Sequence, residues 1–483
     1  VLYLTLAGNW LKFSRAEVFF SECAREMIVQ GNMVTPLYHG QPFFDKPILT
    51  YWLIITSFKA LGVSHLAARL PSILAALTTL GITAGAASWI GRTAGRGENR
   101  VALLSVMMLG SSFMFLSFAY LCMSDMLLVM FDTLTMSLLF AGTVAATQKR
   151  RDLLFWAASL SAGLAFLVKG PVGIALPAVS FLIYLGLTRQ LSLLKPRHFA
   201  LGLVTAAMVA FPWFLSAYQA NGSWSLAYFF FRENFQRFAG STYDTHKPIW
   251  FMVQSLFLGF LPWSILVPPA LYAFARPVRA REVCHPQLFL WTWVATVTLF
   301  FSLSRGKIDY YELPAYPALA ILVALYLTDE KLSAKMRRGI SIAVASIFVA
   351  VVAGGTYYAT VFLPAMVKNQ SLALYSQWAK EATPGAPIGV HSRIHYWRDE
   401  ITFQSGREVT EVKDADAALA MLKTPGALII VPDTVYAEIQ KTNAKVQVLD
   451  IREVASKPFT PKLLFDKRGK LNDLVLYTLI ATK

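Results

Sequence analysis

The stretch KRRDLLFWAASLSAGLAFLVKGPVGIALPAVSFLIYLGLTR, running from Lys149 to Arg189, decides how the rest of the chain is read. Three cations open it, an apolar run over 153–168 follows, a Lys169-Gly170-Pro171 hairpin reverses it, and a second apolar run over 171–188 ends on Arg189. About 20 apolar residues cross a hydrocarbon core of about 30 Å as a helix, and helices satisfy their own backbone there. The stretch therefore predicts two membrane helices joined by a tight turn on the face opposite the cations.

Further runs of this kind fall near residues 66–91, 100–119, 124–147, 198–219, 249–274, 286–303, 312–328 and 338–363. Val1 to Leu11 reads as an eleventh, truncated span; without a charged leader and cleavage site, the reading expects a clipped start or a partly missing first helix. The expected class is a polytopic α-helical membrane protein with about 11 transmembrane helices. A hydrophobic content of 56%, a charged content of 15% and a mean hydropathy of +0.50 agree, and argue against a soluble multidomain enzyme.

Arg92, Arg96 and Arg100 mark one basic loop; Lys149, Arg150 and Arg151 the next; then Arg189, Lys195 and Arg197; Arg276, Arg279 and Arg281; and Lys331, Lys335, Arg337 and Arg338. The positive-inside rule makes these five loops cytoplasmic. The segment 12–65, the hairpin at Lys169, the loop 220–248, the stretch 304–311 and the tail after 364 then face the periplasm or exterior. A net charge of +16 could suggest nucleic acid, but the cations sit where anionic membrane lipids attract them, so nucleic acid is not an expected partner. Cys23, Cys122 and Cys284 show neither metal-ligand spacing nor a disulfide framework.

Within 12–65, Ala16 to Ile28 and Pro47 to Leu61 read as helices lying at the membrane interface. Between them, Gly31 to Trp52 is dense in turn formers and aromatics; taken plainly, Tyr51 and Trp52 are interfacial belt residues and Asp45-Lys46 a solvated turn. After Pro364 the composition shifts. Pro387 to His391, Ala427 to Pro432, Val446 to Ile451 and Leu474 to Ala481 read as strands, with a helical run at Asp414 to Leu422. A transmembrane domain over 1–364 and a small extracytoplasmic α/β domain over 365–483 are expected.

Glu17, Glu22 and Arg25-Glu26-Met27, then Val34-Thr35-Pro36, His39-Gly40, Phe44-Asp45-Lys46-Pro47 and Tyr51-Trp52, resemble the first outer loop of bacterial glycosyltransferases related to ArnT and the protein O-mannosyltransferases. The resemblance continues through Ser124-Asp125-Met126, Leu167 to Val172, Pro212-Trp213, Asn234 to Phe238, Pro262-Trp263, and Ser302 to Lys307 with Tyr311, Pro314 and Pro317. It covers about the first 330 residues, and all its motifs fall on the face that the charge pattern turns outward. The resemblance implies the GT-C fold and a donor sugar carried on polyprenyl phosphate. It implies a bacterial inner-membrane enzyme working at the periplasmic side, with lipid A or another glycolipid, a polysaccharide or a protein as acceptor.

Such a site must position two substrates, stabilise a leaving phosphate and take a proton from a hydroxyl acceptor. Lys46, Lys169, Arg237, Arg305 and Lys307 are the candidates for the donor phosphate, the lysines as point charges and the arginines as forks. Glu17 and Asp125 are the candidate catalytic acids; His39, Tyr51, Trp52, Asn234, His246 and Tyr311 are the candidates for acceptor or sugar. Trp213, Trp224 and Trp250 could stack on sugar or isoprenoid. Asp132, two turns deeper than Asp125, is costly to bury and has no readable partner. No cofactor is required by the sequence; a divalent cation at the lipid phosphate is compatible with it, without a readable ligand cluster.

The chain departs from the family at one place: Ala16 stands where an aspartate, regarded as the general base, usually precedes the glutamate. Either Glu17 takes over, or the acceptor is an ionised lipid phosphate that needs no base, or the chain binds without catalysing. Two other classes stay open. A lipid-linked sugar transporter or flippase would show an internal repeat and polar groups near the midplane, neither of which is visible. A non-catalytic envelope assembly protein would account for the tail and leave the motifs unexplained.

Overall fold

Each of the ten apolar runs between residues 66 and 363 folds as helix. The structure is a computed structural model that describes residues 2–7, 13–240, 247–279, 285–330, 332–362, 373–442, 446–455 and 474–482. Among them, seven helices are long and apolar enough to cross a membrane: His65–Thr93, Asp125–Thr143, Gln148–Lys169, Pro196–Asn221, Pro286–Leu303, Asp309–Leu327 and Ala334–Val361. A bent pair counted as one span makes eight, and Leu49–Leu61 and Val172–Leu187 are shorter apolar helices. Of the run read as an eleventh span, the described part is the short helix Leu2–Leu6.

Two runs read as single spans are broken. Residues 100–119 form Glu98–Ser111 and Phe113–Phe118, and residues 249–274 form Phe251–Gly259 and Trp263–Phe274, bent by 109°. Pro262 has no N–H to continue a helix, and the two breaks bond to each other. Phe113 N–H donates to the Leu261 carbonyl at 2.9 Å, and Trp263 Nε1–H to Ser111 Oγ at 3.0 Å. Gly259 is needed at this crossing, because a Cβ there would lie 2.0 Å from the Tyr316 hydroxyl.

The Asp309–Leu327 segment starts with a 3-10 stretch, Asp309–Ala315, and continues as the helix Tyr316–Leu327. It is apolar on every side in its helical part, the pattern of a core helix, and it is 83% buried. The basic loops hold one another at one end of this helical unit. Arg96 pairs with Asp329 at 3.2 Å, Arg100 Nε donates to Ser341 Oγ at 3.2 Å, and Arg197 and His198 each reach Asp152 at 2.7 Å.

The chain divides into two compact units that do not follow chain order: Val1–Ala7 with Glu26–Thr356, and Gly8–Arg25 with Tyr357–Lys483. Residues 13–25, read with the first outer loop, thus belong with the tail. Phe13 N–H donates to Glu400 Oε2 at 3.0 Å, and its ring lies edge-on to Phe403 with centroids 4.8 Å apart.

In the second unit, β3 (Ile388–His391), β4 (Val409–Val412), β5 (Leu428–Pro432), β6 (Val446–Ala455) and β7 (Leu474–Thr482) form one sheet in the order β4-β3-β5-β7-β6. The first three strands run parallel, and β7 is antiparallel to both β5 and β6. Ile430 faces a core with Trp397 and Ile401, while its neighbours Ile429 and Val431 face another with Ala418 and Ile439. A parallel strand covered on both faces reads as a continuous apolar run, which is why β5 was visible in the sequence. Strand β4 and the helices Ala373–Glu381, His395–Ser405 and Asp433–Lys441 were not read.

Candidate active site

A hairpin whose turn is built from His39 and Gly40 anchors the loop that carries Lys46. Both residues take positive φ, 51° and 71°, between β1 (Leu37–Tyr38) and β2 (Gln41–Pro42), the backbone a two-residue hairpin turn requires. Their N–H groups donate to the two Glu26 carboxylate oxygens at 2.7 and 2.9 Å. Trp52 Nε1 donates to the Met33 carbonyl at 2.8 Å, Trp213 Nε1 to Val34 at 2.9 Å, and Asn221 Nδ2 to Thr35 Oγ1 at 2.8 Å. Phe44 is buried against Trp213 and Trp224. Trp52 and Trp213, read as sugar or isoprenoid contacts, thus spend their indole N–H groups on this loop, and Tyr51 is buried in the packing beneath.

The loop delivers Lys46 to a cluster of charges. Lys46 Nζ sits 2.9 Å from the carboxylate of its neighbour Asp45. Lys169 ends the helix Gln148–Lys169, where Gly170, at φ 84°, reverses the chain. Its ammonium ion-pairs with Asp125, the first residue of Asp125–Thr143, and lies 5.3 Å from the ring centre of Tyr311 and 5.8 Å from that of Tyr310. Arg237 bonds to Tyr311 and lies 3.4 Å from Glu233. The charges of Lys46 and Arg237 both reach Lys169. Helix ends, a hairpin and a 3-10 turn thereby bring Lys46, Asp125, Lys169, Arg237 and Tyr311 together.

Two members of the cluster, Tyr310 and Glu233, escaped the sequence reading, and Asp45, read with Lys46 as a solvated turn, is instead a partly buried member of it. Burial pushes the Glu233 carboxyl up, and the hydrogen bond to Asp45 and that group's charge push it further, to about 8. Burial works the same way on Asp45, but the Lys46 ammonium beside it and its hydrogen bond to Glu233 overcome this and hold it well below the usual carboxylate range. The readable signal was the i,i+4 spacing of Glu233 and Arg237 inside an aromatic segment.

Asn234 lies in the π-helical turn Tyr228–Gln236 and donates to the Phe229 carbonyl at 2.7 Å. It borders the same hairpin: a Cβ on Gly170 would lie 2.6 Å from the Phe229 ring and 3.5 Å from Asn234 Oδ1. Arg305 has an exposed side chain and a backbone N–H bonded to the Phe238 carbonyl at 3.0 Å, while Lys307 is buried with its ammonium on the Ser304 carbonyl. His246 lies outside the described residues. Glu17 belongs to the second unit and closes a capping box at the start of Arg15–Val29: its carboxylate accepts from Ser14 N–H at 2.9 Å, and its own N–H faces Ser14 Oγ at 3.4 Å. Both carboxylate oxygens of Asp132 are buried without a hydrogen-bond partner among the described residues, and the nearby charge is that of Lys169. Among the described residues no three His, Cys, Asp or Glu side chains gather as a set able to hold a metal ion.

Residues 45–215 match the dolichyl-phosphate-mannose-protein mannosyltransferase family. An uncharacterised protein of Aquifex aeolicus is 31% identical over 332 residues, covering 69% of this chain and 63% of that protein. An undecaprenyl phosphate-alpha-4-amino-4-deoxy-L-arabinose arabinosyl transferase of Proteus mirabilis is 28% identical over 379 residues, covering 78% of this chain and 66% of that protein. The chain thus spans somewhat less than two thirds of the length of these curated relatives. The crystal structure of ArnT from Cupriavidus metallidurans bound to undecaprenyl phosphate superposes with a TM-score of 0.73 at 22% identity, over 99% of this chain and 96% of that one. The apolar helices and the ArnT relatives make the chain a multi-pass bacterial inner-membrane protein. The whole chain thus follows the fold of ArnT, the GT-C fold, and residues 45–215, which carry Lys46, Asp125 and Lys169 of the charge cluster, match the protein mannosyltransferase family.

Proposed function

We propose that the chain transfers a sugar from undecaprenyl phosphate to an acceptor of the bacterial envelope at the periplasmic face of the inner membrane. The observation that carries this reading is the convergence of Lys46, Lys169 and Arg237 beside Tyr310 and Tyr311. With Glu233 holding a proton, the three cations outnumber the two remaining acids of the cluster, a surplus of positive charge suited to a phosphate anion. A fold shared with an ArnT crystallised on undecaprenyl phosphate supports this donor lipid.

In this reading an acceptor oxygen bonds to the anomeric carbon as the bond from that carbon to the phosphate oxygen breaks, so configuration inverts. The phosphate leaves with one more negative charge, which the fixed cations stabilise most in the transition state. Asp125 acts through Lys169, holding its ammonium at the cluster. A hydroxyl acceptor gives its proton to a carboxylate, the role the family resemblance leaves to Glu17 in the absence of an aspartate at Ala16. Lipid A or another glycolipid is the first acceptor proposed, with protein and polysaccharide next. A broken helix pair could serve a transporter instead, but the break at Pro262 is closed by bonds to Ser111 and Phe113 and holds no charged side chain.

Mass spectrometry of lipid A, glycoproteins and surface polysaccharide tests the reading. Cells lacking the gene are complemented with wild type or with Glu17→Ala, Lys169→Ala. One sugar mass lost from one fraction, and restored by wild type alone, is the expected result. Unchanged glycans with lipid-linked sugar accumulating on one leaflet would replace transfer with transport.

A further inference from the structure

Glu233 is 4% exposed and faces Asp45 within hydrogen-bond reach. Two carboxyls meet in this way when they share a proton, since two carboxylates in contact repel strongly away from water. The charged and titratable groups facing the pair come from three segments, the third being the 3-10 stretch Asp309–Ala315, whose Tyr311 faces Asp45 and bonds Arg237. Asp45 carries Lys46 beside it at 2.9 Å; Glu233 has Arg237 one turn on at 3.4 Å, and Tyr228 on the same turn.

We propose that Glu233 is a positioning residue of the phosphate site: by sharing a proton with Asp45, it limits the two carboxyls to one negative charge and leaves Lys46 and Arg237 net positive for the lipid phosphate. This rests on the proposed use of a polyprenyl phosphate. When the shared proton is lost, the pair carries two charges against the two cations, and the surplus that attracts phosphate disappears. Glu233 sits at about 8, so the loss falls on the alkaline side of neutrality. Removing Glu233 removes the titrating group and leaves Asp45 beside Lys46 and Arg237, whereas removing Asp45 leaves Glu233 raised by burial alone, so that its step falls at lower pH. Glu233→Gln must therefore erase the alkaline step and Asp45→Asn move it toward lower pH, a pairing that a purely structural role for Glu233 does not produce.

Binding of undecaprenyl phosphate to the purified full chain in detergent, followed from about pH 7 to about 9.5, tests this. The second ionisation of a phosphate monoester lies near pH 6, so the probe is nearly constant across the range. For wild type, Kd is expected to rise by about tenfold, the order of weight of one nearby unit charge at intermediate dielectric. Glu233→Gln is expected to give a flat profile and Asp45→Asn a step displaced to lower pH, and Asp45→Asn carries the comparison if Glu233→Gln does not fold. A flat wild-type profile with measurable binding, a step that persists in folded Glu233→Gln, or one that stays in place in Asp45→Asn overturns the proposal and leaves the phosphate reading standing. Failure of wild type to bind at any pH overturns both.

Discussion

Lys169 and Asp125 are each other's condition for burial. Their side chains are 13% and 5% exposed, and breaking a buried pair by removing one partner costs about 3–5 kcal/mol, because the survivor is left charged and unpaired. Lys169→Ala is therefore expected to lower the unfolding temperature in detergent as well as abolish transfer. Lys169→Met combined with Asp125→Leu should recover most of the stability and none of the activity. A double variant as unstable as Lys169→Ala would mean that the pair's packing, and not its charge balance, holds the hairpin. Gly170 next to it is a second sensitive position. Its φ of 84° and a Cβ position 2.6 Å from the Phe229 ring predict a cost of about 2 kcal/mol or more for Gly170→Ala, read from the same melting curve. Lys169 and Asp125 were legible in the sequence because a cation in a tight hairpin and an acid opening an apolar helix are conspicuous. Glu233 was not, because its importance comes from Asp45, 188 residues earlier, and such a pairing exists only after folding. Glu17 shows the converse: Ser14-x-x-Glu17 spelled a capping box, and the family resemblance drew attention to the other reading of the glutamate.

At the scale of elements, the helices were legible as apolar runs, and their breaks were not. Hydropathy is blind to a bend when both arms are apolar, as in Phe251–Gly259 and Trp263–Phe274. The Pro262-Trp263 motif marked the place, and its meaning is structural: the indole N–H of Trp263 bonds Ser111, at the break in a neighbouring helix. Gly259 lets the bent pair close on the core helix Tyr316–Leu327. A methyl group there would meet the Tyr316 hydroxyl at 2.0 Å and Met114 Cβ at 2.9 Å. Gly259→Ala is expected to destabilise the chain by about 1–3 kcal/mol through overpacking. Combining it with Tyr316→Phe should recover part of that loss, since the clashing oxygen is gone. If thermal melting shows the two changes to be simply additive, the two helices do not meet at this glycine.

The molecule as a whole is not two consecutive pieces of sequence. A boundary after Pro364 is where composition changes, yet residues 13–25 join the tail in the second unit. Composition could not show this, because segment 13–25 is amphipathic helix, equally suited to lie on a membrane interface or on a protein core. What assigns it is contact made across nearly the whole chain. Phe13 packs edge-on to Phe403 and donates its N–H to the buried Glu400, whose other oxygen is bonded by Gln404. The second unit therefore depends on a segment that is synthesised first, and the two rings are the place to measure that dependence. An edge-to-face aromatic pair contributes about 0.5–1.5 kcal/mol beyond its buried area. In a double-mutant cycle on the full chain, Phe13→Leu and Phe403→Leu should show a coupling of about that size. Hydrogen exchange gives the structural counterpart: either substitution should speed exchange in residues 13–25 and in the helix His395–Ser405 together. Acceleration confined to one of the two, with no coupling energy, would mean that the segment and the tail fold independently. It would restore the boundary that composition suggested.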